Sequence, residues 1–184
     1  LLLRAAFEHD VKHFLFFSCS VMYQPSPLPL KEDDFDSGTE LVPNYFGVGW
    51  SKIYLEKMCE FYTRISKLKC TVLRHSNIFG PHDKYDLDHS HVFGATVTKV
   101  MNAEHGGEIV IWGSGQEGRD LLYVSDLVDC VELAIDRQNE DFGLYNVGVG
   151  HAITVKHLVL RIIAASQKSL RIKHDLSKPN IPTT

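Results

Sequence analysis

The sequence predicts an α/β fold in which helices cover both faces of a mostly parallel β-sheet. Strand-like and helix-like segments alternate along the 184 residues, an order typical of parallel strands joined by crossover helices. The run "HFLFFS" at residues 13–18 is continuously apolar, as in strands buried on both faces. With 44% hydrophobic residues, the chain can bury one sizeable core, which favours one domain with a small annex.

The first element is a helix, because "LLLRAAF" has a helical apolar face. No cap or initiating methionine precedes it, and "KPNIPTT" at the end adds no closing element, so we expect a fragment of a longer protein. The remaining expected elements are, in order, a strand over 13–18, a proline-rich loop, a long amphipathic helix over 45–67, a strand over 71–76, a helix over 91–102, strands over 108–112 and 121–124, a helix over 125–136 capped by Ser125, a strand over 144–148, a helix over 154–165 and a strand over 170–175.

Composition excludes several classes of function. The net charge is -4 and the basic residues are scattered, which argues against nucleic acid as a partner. No apolar run approaches the roughly 20 residues that cross a bilayer, so no membrane span is expected. The four cysteines lack C-x-x-C spacing, and Cys59 and Cys130 occupy apolar positions of helices. Reduced, buried thiols and a cytoplasmic protein are therefore expected.

The glycine-rich run "GSGQEG" at residues 113–118 matches half of a dinucleotide-binding fingerprint. It follows a strand, but "RDLLYV" after it reads as another strand. A phosphate-binding loop requires a helix that opens at the last glycine. The run is therefore interpreted as a turn or a substrate-facing loop.

The segment "PHDKYDLDHSH" concentrates metal-ligating side chains. Imidazoles and carboxylates can hold zinc or a harder cation. The spacing fits no closed site, and acidic loops are usually solvated, so no metal is predicted. The side chains concerned are His82, Asp83, Asp86, Asp88, His89 and His91.

Six ordered motifs together carry a resemblance to a known family. They are "FLFFSCSVMY", "GVGWSK", "SNIFGPHD", "HSHV", "IWGSGQEGRDLLYVSDL" and "YNVGVG". The sequence resembles the extended short-chain dehydrogenase/reductase family of NAD-dependent nucleotide-sugar epimerases and dehydratases, most closely its GDP-fucose-synthase branch. The resemblance implies the C-terminal half of a Rossmann-like, doubly wound parallel sheet, with the N-terminal glycine-rich βαβ part absent.

The same resemblance implies that the chain contains parts of two domains. Residues 1–80 and 120–150 would form the second half of the NAD(P)-binding domain, and residues 81–119 and 151–184 part of the nucleotide-sugar-binding domain. The implied activity is epimerisation and reduction of a keto-deoxy nucleotide sugar with NADP, or NAD. Two alternatives remain: a UDP-sugar 4-epimerase, and a degenerate or truncated relative that binds nucleotide sugar or a protein partner without chemistry.

The family's catalytic helix carries the motif Y-x-x-x-K, in which lysine lowers the tyrosine pKa and holds the nicotinamide ribose while tyrosine moves the proton. Here Lys52 matches the lysine, but Val48 stands one turn earlier, where tyrosine is expected. Tyr45 lies about two turns from Lys52, and Tyr54 projects about 200° around the helix from it. Neither is a natural replacement.

A second departure lies at the end of the first strand. The family's catalytic Ser or Thr position is Cys19, a weak hydrogen-bond donor, and the cysteine that serves as epimerisation base in the GDP-fucose-synthase branch is replaced by Val21. Ser20 could compensate as a catalytic hydroxyl, and Ser18 is expected at the cofactor. These small residues at a strand end also have a purely structural interpretation.

Other positions match the family's binding residues. His91 corresponds to the general acid for epimerisation, Asn77 and Pro81 match the loop that closes over cofactor and sugar, and Asn77 and Phe79 are expected to bind the cofactor. Lys99, Trp112 and Arg119 are expected at the nucleotide sugar, whose diphosphate needs cations. The helix over 45–67 is expected to form a homodimer, because more apolar surface is present than one buried face needs. That surface comprises Tyr54, Met58, Phe61 and Tyr62.

Overall fold

The computed structural model describes residues 1–26, 28–87 and 89–177, which form five α-helices, three short 3-10 helices and nine strands. The α-helices are α1 (Leu2–Glu8), α2 (Phe46–Ile65), α3 (Val92–Asn102), α4 (Val124–Arg137) and α5 (Val155–Ser166). The strands are β1 (His13–Cys19), β2 (Lys69–His75), β3 (Asn77–Phe79), β4 (Glu108–Trp112), β5 (Gly118–Arg119), β6 (Leu121–Tyr123), β7 (Phe142–Val147), β8 (Ile153–Thr154) and β9 (Arg171–Asp175).

A parallel three-stranded sheet in the order β1-β2-β7 organises the first part of the fold. β2 is the central strand, and its neighbouring residues Val72 and Leu73, which point to opposite faces of the sheet, are both fully buried, as expected for a parallel strand covered on both faces. Two further pairs, β3 with β6 and β4 with β9, are also parallel, whereas β5 and β8 are antiparallel. The predicted parallel α/β architecture is therefore confirmed.

The sequence analysis did not predict the shortest strands. β3, β5 and β8 contain only two or three residues each, too few to show a period of two. Their existence depends on partners distant in the chain, such as Asn77 against Leu121 and Arg119 against Ile153. Local sequence does not record such pairings.

Helix ends agree with expectation to within one or two residues, with one error. Ser125 is not the N-cap of α4, because the helix begins at Val124 and Tyr123 precedes it without a side-chain cap. Ser125 lies in the first turn and donates to Asp126 Oδ1 at 3.3 Å. In α5, by contrast, Thr154 is the N-cap, and its Oγ1 accepts a hydrogen bond from the His157 N–H.

Apolar residues form separate clusters in different parts of the molecule. One cluster packs α1 and α2 against the central sheet through Ala6, Cys59 and Val72. Another joins α3, α5 and the β4–β9 pair through Val100 and Val159. All four cysteines are free thiols, but Cys130 is only half-buried, so the expectation of burial holds for Cys59 and not fully for Cys130.

The run at residues 113–118 is a turn, as expected, because it leads directly into β5. Gly113 and Gly115 have positive φ angles of 68° and 72°, a conformation that favours glycine. The Gly115 carbonyl accepts the Lys156 N–H at 2.9 Å, so the turn packs against the start of α5. In the part of the chain that the structure describes, no helix combines the length and apolarity that a membrane crossing needs.

Candidate active site

The carboxyl ends of β1 and β2 place several functional side chains together. Cys19, the last residue of β1, pairs in register with His75, the last residue of β2. Ligands of open parallel sheets bind outside these carboxyl ends. Cys19 is half-buried, and burial raises the pKa of its thiol, so the thiol is protonated near neutral pH.

Lys52 reaches this edge of the sheet from α2. Its Nζ donates to the Phe17 carbonyl oxygen at 2.6 Å and lies 4.9 Å from the centre of the Phe16 ring. Val48, one turn earlier on the same helix, has 45% of its surface exposed. The lysine of the Y-x-x-x-K pattern is thus held at the strand ends, while its expected partner position presents two methyl groups to an open space.

Neither nearby tyrosine replaces the missing phenol. Tyr45 precedes α2 and lies close enough to Arg119 for its charge to act on the pKa of that guanidinium. Tyr54 points to solvent, with 62% of its surface exposed. The structure therefore agrees with the expectation that Val48 has no tyrosine substitute in its neighbourhood on α2.

His75 is a titratable group of this site that the sequence alone did not reveal. It is half-buried, its Nδ1 lies 2.8 Å from the Ser76 carbonyl oxygen, and its ring centre is 6.5 Å from that of Phe17. Burial lowers the pKa of His75, and the positive charges of Lys52 and His91 lower it further. His75, Lys52 and His91 therefore share one electrostatic environment.

His91 occupies the N-cap position of α3 and is exposed to solvent. Asn77 and Phe79, expected at the cofactor, lie on β3 next to this region. The Asn77 Nδ2 donates to the Asp120 carbonyl oxygen at 3.2 Å. Phe79 packs against Phe93 on α3 with ring centres 4.5 Å apart, and this contact joins β3 to the helix that His91 begins.

The residues expected at the nucleotide sugar form a second group. Lys99 on α3 donates to the Val110 carbonyl oxygen at 3.0 Å and lies 5.8 Å from the centre of the exposed Trp112 ring. Burial lowers the pKa of Lys99 and of Arg119. Arg119 is only 7% exposed. The structure thus brings Lys99 and Trp112 together and places Arg119 near Tyr45.

Ser18, expected at the cofactor, is next to Cys19 in β1 and has its hydroxyl in a hydrogen bond within the protein. Its side chain is fully buried, and its Oγ donates to Glu56 Oε1 on α2 at 2.5 Å. Glu56 also accepts from Arg74 Nη2 at 2.8 Å in a buried ion pair. Because side chains alternate along a strand, Ser18 faces α2 while Cys19 faces away from it.

A cleft of about 580 Å³ adjoins the carboxyl ends of β1, β2 and β7. It lies beside the Lys52 and His91 group rather than on it, since neither residue lines it. Ser20, the alternative catalytic hydroxyl, is on its wall. Other lining residues are Tyr23, Arg74, Ser76, Asp120 and Asn146.

The segment rich in histidine and aspartate forms a local contact. Asp86 Oδ1 lies 3.0 Å from His89 Nδ1 in an exposed pair. Asp88 lies outside the described residues. Among the described residues, no three His, Cys, Asp or Glu side chains come together in a way that could hold a metal ion.

Sequence reasoning missed three residues that shape the site: His75, Glu56 and Asp120. Asp120 accepts hydrogen bonds from the Ser76 hydroxyl at 2.8 Å and the Gly150 N–H at 2.8 Å. A usable signal was present for His75, because a polar residue directly after a buried apolar strand points to the ligand-binding edge of a parallel sheet. The sequence also contained a signal for Glu56, because this residue lies one turn beyond Lys52 on α2.

Comparison with known proteins gives a consistent result. Residues 1–148 match the model of the NAD dependent epimerase/dehydratase family. The chain is 29% identical over 190 residues to GDP-L-fucose synthase of Escherichia coli (strain K12), covering 97% of this chain and 59% of that protein. It is 30% identical over 182 residues to GDP-L-colitose synthase of Yersinia pseudotuberculosis, with the same two shares covered. The chain thus spans 59% of the length of these relatives.

Among solved structures, the fold is similar to a GDP-L-fucose synthetase from Naegleria fowleri. The TM-score is 0.88 at 18% identity, and the match covers 100% of this chain and 58% of that one. A second structure of a GDP-L-fucose synthetase from that organism, bound to NADP, gives a TM-score of 0.87 at 18% identity, with 97% and 58% covered. At this identity the likeness shows the fold alone.

Proposed function

The chain belongs to the NAD-dependent epimerase/dehydratase family, and from that premise we propose that it is part of an epimerase/reductase acting on a keto-deoxy nucleotide sugar. The observation that carries the proposal is the position of Lys52 and His75 at the carboxyl ends of β1 and β2, with His91 close enough for its charge to act on the pKa of His75. One ammonium and two imidazoles suit a substrate whose carbonyl oxygen gains negative charge. GDP is the proposed nucleotide, since relatives that cover nearly the whole chain are named for GDP-linked sugars.

NADP is the proposed cofactor, with NAD as the alternative. When bound, it would supply or accept the hydride. Lys52 fits the role of holding the nicotinamide ribose, because its Nζ is a hydrogen-bond donor already positioned at the strand ends. Asn77 and Phe79 are proposed on the nicotinamide side. Ser18 is left out, because its hydroxyl is committed to Glu56.

Lys99, Trp112 and Arg119 are the proposed ligands of the nucleotide diphosphate and sugar. Burial weakens the hydration of Lys99 and Arg119, which strengthens their attraction for an anion once it enters. Trp112 offers an exposed aromatic face beside the Lys99 ammonium. A hydrogen bond to a charged group contributes about 1.5–3 kcal/mol, so losing one cation should weaken binding by about 10- to 150-fold.

The test is calorimetric titration of the chain with a GDP-linked hexose. We expect binding that Lys99→Met weakens at least about tenfold, whereas the exposed control Lys57→Met leaves it unchanged. Circular dichroism checks that both variants are folded. Absence of binding, or equal affinity in Lys99→Met and Lys57→Met, would contradict the proposal.

The exposed Val48 supports a second candidate function, a relative that binds nucleotide sugar without catalysing its reduction. A valine side chain can neither donate nor accept a proton. Losing a general acid costs about 10²- to 10⁴-fold in rate. The two candidates share the binding residues and differ only in turnover, so binding alone does not separate them.

Three further features are proposed on the same premise. The division into residues 1–80 with 120–150 and 81–119 with 151–184 is supported by the separate apolar cluster of α3, α5, β4 and β9. A cytoplasmic location is supported by four free thiols. A homodimer through α2 is supported by exposed Tyr54 and Phe61.

A further inference from the structure

We propose that His75 is the base that removes a proton from the carbon beside the keto group of the bound sugar, an inference that rests on the proposed function. Its position carries the argument. His75 ends the central strand β2 and is paired with Cys19, which ends β1. Both residues therefore lie at the edge where substrate is expected.

The ring of His75 is held in a defined orientation. A carbonyl oxygen only accepts hydrogen bonds, so the 2.8 Å contact with the Ser76 carbonyl requires Nδ1 to carry the proton. In the neutral imidazole, Nε2 then carries the lone pair, which is the form a base requires. The sequence departures at Val21 and Val48 remove other proton-transfer groups, which leaves this lone pair as an available acceptor.

The residue that holds the ring is itself anchored. The Ser76 hydroxyl donates to Asp120 Oδ1 at 2.8 Å, and the Ser76 N–H donates to the Val147 carbonyl oxygen at 2.9 Å. Asp120 in turn accepts the N–H groups of Val149 and Gly150 at 3.0 and 2.8 Å. Two other segments, Asp120 and residues 147–150, thus hold Ser76 through its hydroxyl and its N–H, and a base anchored next to it needs little reorganisation during proton transfer.

The charges around His75 favour the neutral ring. Burial has the largest effect and lowers its pKa; the hydrogen bond to the Ser76 carbonyl raises it by less, and the ammonium of Lys52 on α2 and the imidazole of His91 before α3 lower it again, so that the pKa is lowered overall. On β1, the neighbouring Cys19 thiol is protonated near neutral pH, because burial raises its pKa. The positive charge of Lys52 also suits the negative charge that an enolate oxygen would carry.

The proposed step conserves atoms and charge. Nε2 of His75 takes the proton, the electrons of the C–H bond form the enolate, and the carbonyl oxygen becomes negative. His91 in its protonated form returns a proton to the carbon and the carbonyl is restored. Return to the opposite face of the carbon gives the epimer. No oxidant or reductant is needed.

The test is hydrogen exchange of GDP-4-keto-6-deoxymannose in heavy water with the 184-residue chain, without added cofactor. We expect the sugar to gain one mass unit for each exchanged carbon position. His75→Asn places an amide donor near the Ser76 carbonyl but lacks Nε2, and it should slow exchange at least about 100-fold with unchanged affinity for GDP. The exposed His105→Asn serves as the matched control and should exchange at the original rate.

A second variant separates chemistry from structure. Exchange by His75→Ala should be partly restored by free imidazole, whereas His105→Asn should not respond to it. Exchange by His75→Asn at the original rate would overturn the inference, as would binding of the sugar nucleotide by the unchanged chain without exchange. Failure of the unchanged chain to bind it would count against the proposed function itself, and the inference would fall with it.

Discussion

At the residue scale, the buried pair of Glu56 and Arg74 is the most consequential contact behind the site. Glu56 lies one turn after Lys52 on α2 and accepts hydrogen bonds from both Arg74 and Ser18. Arg74 also donates to the Tyr23 hydroxyl at 2.7 Å. Because β1, α2 and β2 meet in this contact, it fixes the rotation of α2 and with it the direction of Lys52.

Removing Glu56 should therefore destabilise the protein strongly. Glu56→Ala leaves the Arg74 guanidinium buried without its carboxylate, which should lower the free energy of unfolding by about 3–5 kcal/mol. Glu8→Ala, which breaks the exposed pair with Arg4, should lower it far less, because solvent screens an exposed ion pair. Urea denaturation measures both values. Equal losses in the two variants would show that the buried pair does not hold α2 against the sheet.

Two half-buried histidines, His13 and His75, predict how stability depends on pH. Burial lowers the pKa of His13 and of His75 in the folded protein, with Lys69 adding to the effect at His13. The unfolded chain, with histidine pKa values near about 6.5, then binds more protons than the folded one. Stability from this source is complete above that pH and is lost as the pH falls through and below it.

Urea midpoints at pH 7.5 and pH 5.5 measure this dependence. We expect the lower midpoint at pH 5.5 and a smaller difference in His13→Gln, whose side chain does not titrate. His105→Gln, at an exposed position, should leave the difference unchanged. A higher midpoint at pH 5.5 would contradict the assignment of lowered pKa values.

At the element scale, the two faces of α2 have different roles. Its inner face packs on the sheet through Ile53, Glu56 and Cys59, and its outer face leaves Tyr54 and Phe61 exposed. Tyr62, which the sequence suggested for the outer face, is instead partly buried. It packs against the core and contacts the tilted ring of Phe7 of α1, with ring centres 5.4 Å apart. The apolar outer surface is thus narrower than expected but still present.

We predict that this outer face forms a homodimer. Sedimentation at tens of micromolar should give twice the monomer mass, and Tyr54→Glu with Phe61→Glu should convert it to monomer, because buried charges would oppose the interface. Arg64→Glu serves as an exposed control of the same helix. A monomer in the unchanged chain would contradict the prediction.

The secondary-structure elements differed in how well they could be predicted from the sequence. Strands β1 and β2 and helix α2 were predictable because their hydrophobic patterns extend over seven to twenty residues. β3 and β8 were not, since pairing with distant segments creates them. The same reason explains the site: Lys52 and His91 belong to readable motifs, whereas His75 is paired with Cys19 of another strand and Glu56 with Arg74 of β2.

At the scale of the whole molecule, cofactor binding is expected to depend on the glycine-rich loop of the described chain. Its one G-x-G-x-x-G run turns into β5 instead of opening a helix. We therefore predict that residues 1–184 alone bind NADPH more weakly than micromolar, because no helix N-terminus receives the pyrophosphate. Calorimetry measures this affinity, and micromolar binding by the chain alone would refute the prediction.

We propose that Lys52 is positioned to hold the nicotinamide ribose, whereas Val48 leaves the reduction without its proton donor. The most direct measurement is NADPH consumption with GDP-4-keto-6-deoxymannose by a fusion of residues 1–184 to the part of the E. coli relative that the match does not cover. We predict negligible turnover with Val48, and at least about a 100-fold increase in Val48→Tyr combined with Cys19→Ser. Turnover at ordinary enzyme rates with valine in place would contradict the claim and show that residue 48 is not the proton-donor position.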